Sequence, residues 1–193
     1  MTGNGTTSVL FAGVGGQGIV LASSLLANIC LEAGYDVKQS EVHGMAQRGG
    51  SVTSHVRFGA RVHSPTIAAG EADYLLAFEI LEGVRACDEL AAGGVALVNT
   101  QRIDPITVSS GAMEYPDDLA GVLRSRCGNL ALVDAFDIAA RAGSARATNM
   151  VLLGSLSARL DFEIEIWRKA IAERVPPKTL ETNWKAFEEG RKH

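Results

Sequence analysis

Val9-Leu-Phe-Ala-Gly13-Val-Gly15-Gly16-Gln17-Gly18 sets a short apolar run against a glycine-rich turn, and the apolar stretch from Ile19 to Ala33 follows at once. This order reads as strand, tight turn, helix. Gly13, Gly15 and Gly18 satisfy G-x-G-x-x-G. In that pattern one glycine makes the turn, another lets the backbone approach a ligand, and the third lets helix and strand pack closely. The turn leaves backbone N–H groups at a helix N-terminus, where the helix dipole favours an anion. Gly13, Gly15, Gly16, Gln17 and Gly18 are therefore candidates for holding a phosphate-bearing group. Two other readings stay open. The glycines also suit a sharp strand-to-helix connection that holds nothing. A dinucleotide site calls for an acid after the second strand, for the ribose hydroxyls. Glu41 stands there, but it opens a dense polar loop, and a ribose role is only one option.

Outward from this turn, the chain of 193 residues has room for one α/β domain with a full core. With 47% apolar and 21% charged residues it has ordinary globular composition. The formal charge of −4, with no basic run longer than a pair, argues against a nucleic-acid partner. The three cysteines, Cys30, Cys87 and Cys127, are far apart and form no C-x-x-C. They provide neither an iron–sulfur cluster nor a structural zinc site, and suit reduced thiols. The first residues lack the positive charge of a signal peptide. The segment after Gly18 carries Ser23, Ser24 and Asn28, too polar and too short for a membrane span. The expectation is a soluble cytoplasmic protein.

Residues 1–7 read as a loose tail and Ser8–Ala12 as an apolar central strand. Gln17–Ala33 reads as a helix with Ile19, Val20, Leu25, Leu26 and Ile29 as its buried stripe and Gly34 as its stop. Asp36–Ser40 is the second strand. Glu41-Val-His43-Gly-Met45-Ala-Gln47-Arg48-Gly49-Gly50 is polar, glycine-rich and without a period. Ser51–Phe58 is β-rich, and Gly59-Ala60 suggests a turn into Arg61–Ser64, an antiparallel hairpin inserted after strand two. The α/β rhythm resumes with a strand at Asp73–Ala77 and a helix at Leu81–Ala92, stopped by Gly93-Gly94. A strand at Val95–Asn99 and a short one at Ile106–Val108 follow. A helix then runs from Pro116 to Arg126, and a strand covers Leu130–Asp134. Helices at Phe136–Arg141, Ala147–Leu160, Glu163–Arg174 and Leu180–Glu189 complete the chain. The whole is α/β, a doubly wound, mostly parallel Rossmann-like sheet with an inserted hairpin and C-terminal helices, one domain over residues 1–193. Ligands of such sheets sit at the carboxyl ends of strands, so the 13–18 turn and the 41–50 loop belong to one edge.

No G-x-S-x-G elbow and no P-loop lysine are present. His43, His55, His63 and His193 are not at metal-ligand spacing. His55 and His63 fall on the hairpin, where hydrogen-bonded or surface roles are the default. His43 shares its loop with Glu41, Gln47 and Arg48. That set suits an acidic substrate or a carboxylate from another subunit, or a turn whose polar groups satisfy its own backbone. Arg57 reads as a solvated strand arginine or as an extension of the same patch. Cys87 reads as core filling, Asp134 and Asp137 as helix caps, and Trp167 and Trp184 as packing for the C-terminal helices. A phosphate-friendly turn and a polar loop without a self-sufficient catalytic set describe part of an enzyme.

The glycine turn at 13–18 and Ser40-Glu-Val-His-Gly-Met-Ala-Gln-Arg-Gly-Gly-Ser-Val52 together resemble the gamma-type domain of 2-oxoacid:ferredoxin oxidoreductases. The likeness continues through Ser64-Pro65, Gly70-Glu-Ala-Asp73, Gly93-Gly-Val-Ala-Leu-Val-Asn99, Ala147-Thr-Asn149 and the stretch from Asn183 to Glu188. Within that group, His43 to Gly50 is most similar to the small beta subunits of indolepyruvate enzymes. The resemblance implies oxidative decarboxylation of a 2-oxoacid to an acyl-CoA. Thiamine diphosphate with Mg and 4Fe-4S clusters would sit on a large alpha subunit, with ferredoxin as acceptor. It implies no catalytic residue and no metal on this chain. Gly15, Gly16, Gln17 and Gly18 would meet a phosphate-bearing ligand, on a domain that helps form the CoA-facing side of the cleft; whether CoA touches this chain stays open. Glu41, His43, Met45, Gln47, Arg48, Gly49 and Gly50 would face the partner's active site. The choice among indolepyruvate, phenylpyruvate and phenylglyoxylate stays open, as does a stand-alone nucleotide-binding module.

Overall fold

The computed structural model describes residues 5–44 and 49–193. The opening apolar run forms β1 (Thr6–Val14), buried along its length except at Thr7. It starts earlier than the composition suggests and takes in Thr6 and Thr7. Successive side chains of a strand point to opposite faces. Val9 and Phe11 accordingly join one core cluster, and Leu10 and Ala12 the other. A strand buried on both sides must be central, and β1 is.

α1 (Ile19–Glu32) follows, then β2 (Asp36–His43), β3 (Ser51–Gly59) and β4 (Ala72–Ala77). Next come α2 (Ile80–Ala86), β5 (Leu90–Asn99), a helical turn α3 (Ile106–Ser109), α4 (Leu119–Arg126) and β6 (Asn129–Val133). α5 (Ala135–Ala142), α6 (Thr148–Ser157), α7 (Ile164–Arg174) and α8 (Leu180–Gly190) close the chain. The sheet order is β2-β3-β1-β4-β5-β6. β3 is antiparallel to both β1 and β2, whereas β1, β4, β5 and β6 pair in parallel. Five strands therefore share one direction and β3 alone opposes it. The chain leaves β1 through α1 toward one edge, and leaves β4 through α2 and α4 toward the other. That is double winding, and the switch point lies between β1 and β4.

α1 and α5 to α8 cover one face, with Leu25, Leu26, Ile29, Met150, Trp167 and Phe187 fully buried. α2 and α4 cover the other, around Leu75, Val98 and Leu123. Trp167 and Phe187 have ring centroids 5.4 Å apart, and Trp184 stacks on Phe187 at 5.2 Å. The tryptophans thus pack the C-terminal helices, as their spacing predicts. Val20 departs from the expected stripe and is 45% exposed. It sits 100° around the helix from Ile19, which takes the inward position.

The hairpin is built from different partners than expected. β2 runs on to His43 and pairs with β3 from Asp36 opposite Gly59 to His43 opposite Val52. Residues 61–64 form no strand; side chains hold this stretch, with Asp36 Oδ2 accepting from Val62 N at 2.8 Å and Arg57 Nη1 donating to Ser64 O at 3.4 Å. Gly93 and Gly94 do not stop a helix. α2 ends at Ala86, a 3-10 turn covers Cys87–Glu89, and both glycines lie inside β5, where the register with β4 slips. A Cβ on Gly94 would stand 2.8 Å from Ala72 O, so the bulge depends on a bare backbone there. The stretch at Ile106 is helical rather than extended, because Pro105 at its N-cap presets a helical start. α4 begins at Leu119, later than Pro116, with Asp118 accepting from Gly121 N at 3.0 Å. No helix among the described residues is long and apolar enough to cross a membrane.

Candidate functional site

The glycine turn joins β1 to α1 at the carboxyl end of the sheet. A Cβ on Gly13 would fall 2.8 Å from Phe78 Cβ and 2.9 Å from Gln17 Oε1, so this position is reserved for a residue without a side chain. Gly16 has φ 108° and open space around it, while Gly18 has φ 78° and forms the N-cap of α1. No side chain caps α1, and its first turn holds no acid. The helix therefore presents its donors and the positive end of its dipole to the outside.

Gln17 is turned inward. Its Oε1 accepts from Val14 N at 2.8 Å and its Nε2 donates to Phe78 O at 2.8 Å. One amide thus closes the turn and ties it to the end of β4. Asn99, fully buried at the end of β5, donates to the same Phe78 carbonyl at 2.9 Å and accepts from Ala135 N at 3.1 Å. The ends of β1, β4, β5 and β6 are fastened together by two amides.

The polar loop is brought to this turn as expected. Gly15 N donates to Gly50 O at 2.8 Å, and Gly49 N donates to Gly15 O at 3.3 Å. Glu41 and His43 are exposed at the end of β2, with His43 Nδ1 3.2 Å from Gly44 O. An open cleft of about 470 Å³ is lined by Gly15, Gly16, Gly18, Val20, Glu41 and His43. Gly13 and Gly50 do not line it; Gly50 lines the neighbouring cavity with Glu79 and Glu82. Met45, Gln47 and Arg48 lie outside the described residues.

Beside the cleft stand residues that the sequence reading passed over. Glu79 follows β4 and is 1% exposed. Its Oε1 accepts from Tyr115 Oη at 2.6 Å and Ile103 N at 3.2 Å, and its Oε2 from Glu82 N at 2.9 Å. Burial, reinforced by the Glu79 carboxylate, pushes the Tyr115 phenol up from its ordinary value. Glu82 in turn accepts from Ser51 Oγ and Arg85 Nη1, each at 2.6 Å. This network pins the segment after β5 to the hairpin. The signal was available: polar residues directly after strands sit where α/β sheets bind ligands.

Other candidates resolve locally. Arg57 Nε donates to Ser8 Oγ at 3.2 Å, well down β3 from the cleft. His55 accepts from Ile67 N at 3.2 Å, and burial lowers its pKa below the ordinary histidine value. Asp134 occupies the N-cap position of α5 but makes no cap hydrogen bond, and Ala135 N donates to Asn99 Oδ1. Burial raises the thiol pKa of Cys30, Cys87 and Cys127, which makes all three poor nucleophiles. Among the described residues no group of three or more His, Cys, Asp or Glu is placed to hold a metal ion. The arrangement suits binding an anion at one wall of a cleft.

Residues 8–193 match the pyruvate ferredoxin/flavodoxin oxidoreductase family. The chain belongs to this family. It is 40% identical to indolepyruvate oxidoreductase subunit IorB of Thermococcus kodakarensis, over 96% of this chain and 94% of the relative. The Pyrococcus horikoshii protein of the same description is 39% identical over the same shares. Among solved structures, the gamma subunit of a keto/oxoacid ferredoxin oxidoreductase from Geobacter sulfurreducens PCA superposes with a TM-score of 0.71 at 27% identity, covering 96% of each chain. Family membership makes this chain a subunit of an oxidoreductase, in keeping with a cleft that carries binding groups.

Proposed function

We propose that this chain is the small subunit of a cytoplasmic indolepyruvate:ferredoxin oxidoreductase, forming one wall of a cleft completed by a large partner. Its whole length would be one gamma-type domain. Identity of 40% across 96% of the chain to a subunit of that description carries the substrate reading. On the partner, thiamine diphosphate with Mg and 4Fe-4S clusters supply decarboxylation and electron transfer to ferredoxin, and CoA takes the acyl group. The described residues offer no donor set for a cluster or a metal.

This chain's part is to bind and orient. The N–H groups of Gly16 and Gly18 and of the first turn of α1 would hold the pyrophosphate of CoA, since Gly15 N and Gln17 N already donate to Gly50 O and Val14 O. Gln17 and Asn99 keep that turn rigid through Phe78 O. Glu41, His43, Gly49 and Gly50, with Met45, Gln47 and Arg48, would face the partner's active site. A further observation supports a partner on this side. Val20, Val42, Ile106, Met113 and Phe136 are between 40% and 68% exposed; Val42 lies at the carboxyl end of β2 and the others in segments that follow the carboxyl ends of strands, whereas the exposed Leu31 and Tyr35 belong to the other end. Apolar side chains gathered on one rim mark an interaction surface.

Co-expression with a large thiamine and cluster subunit tests the reading. The two chains should co-purify and reduce ferredoxin only when both CoA and indolepyruvate are present. Equal activity of the large subunit alone would overturn it.

A further inference from the structure

Asn149 lies on the second residue of α6 and is 5% exposed, yet its side-chain amide has no hydrogen bond among the described residues. Buried amides are normally paired. The two sealed and unpaired side-chain atoms among the described residues are Glu89 Oε2 and Trp167 Nε1. The Asn149 amide is not among them, so its polar end still reaches solvent. It is aimed at the glycine turn. From the place where a Cβ on Gly18 would stand, Asn149 Cβ is 3.6 Å away, Cγ 3.3 Å and Nδ2 2.7 Å.

α6 has no acid in its first turn, but unlike α1 it continues from a 3-10 turn (Ala145–Ala147) that Ser144 caps, and Thr148 N already donates to Ala145 O. Beyond its far end, Arg159 O accepts from Tyr74 Oη at the amino end of the sheet, at 3.1 Å. α1 likewise starts at Gly18 and ends beside Tyr35, on the same amino side. The two helices therefore run in one direction, and Asn149 touches Gly18 where α1 begins. The uncapped positive end of α1 and an unused amide donor converge on one point, and no acid stands in the first turn of either helix.

We propose that Asn149 forms the second half of an oxyanion site whose first half is the Gly15–Gly18 turn. It takes the phosphate or pyrophosphate of the nucleotide-bearing substrate, and it rests on the CoA reading given above. Asn149 Nδ2 donates to a phosphate oxygen, and Gly18 is glycine so that the amide can approach. A group without an acceptor oxygen there leaves the donor unpaired.

The test uses the two-subunit complex, with calorimetric CoA binding, competition by inorganic pyrophosphate, and KM for both CoA and indolepyruvate. Asn149→Ala should weaken CoA and pyrophosphate binding about tenfold, as expected for one lost charge-assisted hydrogen bond. KM for indolepyruvate should stay within about twofold. Asn149→Asp should weaken CoA further, with the thermal midpoint confirming that the variant is folded; should it not fold, the alanine variant decides. Val20→Asp, on the α1 side of the cleft, separates the two claims. If it weakens CoA while Asn149→Ala leaves CoA and pyrophosphate affinity unchanged, Asn149 is a packing residue and the proposal fails alone. If neither variant changes CoA affinity, the CoA reading falls with it.

Discussion

The two ends of the sheet each carry a cavity, and the larger one is at the wrong end for chemistry. At the amino ends of the strands, about 530 Å³ is enclosed among Tyr35, Phe58, Tyr74, Gly93, Gly94, Arg159 and Phe162. At the carboxyl ends the glycine cleft is about 470 Å³. What separates them is how their polar groups are spent. In the amino-end cavity Tyr74 Oη is bonded to Arg159 O, and Arg159 reaches Ser155 O at 2.6 Å and His193 O at 2.9 Å. Tyr35, Phe58 and Phe162 pack on one another with centroids between 5.5 and 6.0 Å. The glycine turn, by contrast, has one helix N-terminus without a side-chain cap and, against Gly18, an asparagine amide without a partner. Volume marks where packing is loose; unsatisfied donors mark where a ligand belongs.

Substitutions at the two ends should therefore separate binding from stability. Gly18→Val is expected to have the largest effect. A β-branched residue at φ 78° with its Cβ against Asn149 should cost about 3 kcal/mol in denaturant unfolding and abolish CoA binding. Phe162→Ala at the amino end should cost about 2 kcal/mol, given its partial burial, yet leave the KM for CoA unchanged in the assembled enzyme. A raised KM there would break the comparison.

Gln17→Ala should cost about 1–2 kcal/mol, through the two backbone groups it leaves unpaired, and raise the KM for CoA severalfold by loosening the turn. The smallest effect should come from His55, which belongs to neither end. Burial holds its pKa below the ordinary 6.5, so the unfolded chain binds the proton more tightly than the folded one. Its contribution is intact above that ordinary value, and stability falls as the pH drops from there toward the folded pKa. Thermal unfolding followed across this window should show the decline in the parent and a shallower one in His55→Gln, with no change in CoA affinity at neutral pH.

Much of this contrast was visible in the residues before any coordinates. Local pattern was enough for β1, its turn and α1, since a continuous apolar run, G-x-G-x-x-G and a helical stretch are adjacent in sequence. The placement of Gly49 and Gly50 beside Gly15 followed from sheet topology, because both loops leave strands at one edge. What could not be read were the pairings set by distant residues. β3 matches β2 rather than residues 61–64 because a register along all of β2 satisfies more backbone than a short return strand. Gly93 and Gly94 look like a helix stop until Ala72 O is seen pressing on Gly94. Glu79 carries no local motif and Asn149 only its place in the Ala147–Asn149 stretch; their meaning comes from Tyr115 and Gly18, brought up from elsewhere in the chain.

The division of labour between this chain and a larger subunit is tested most directly by titrating the chain into the thiamine- and cluster-bearing partner. Ferredoxin reduction would be followed with CoA and indolepyruvate present. Each component should be inactive by itself, with activity rising to a plateau at a fixed subunit ratio. Turnover by this chain alone, or full activity of the partner before any is added, would contradict the account.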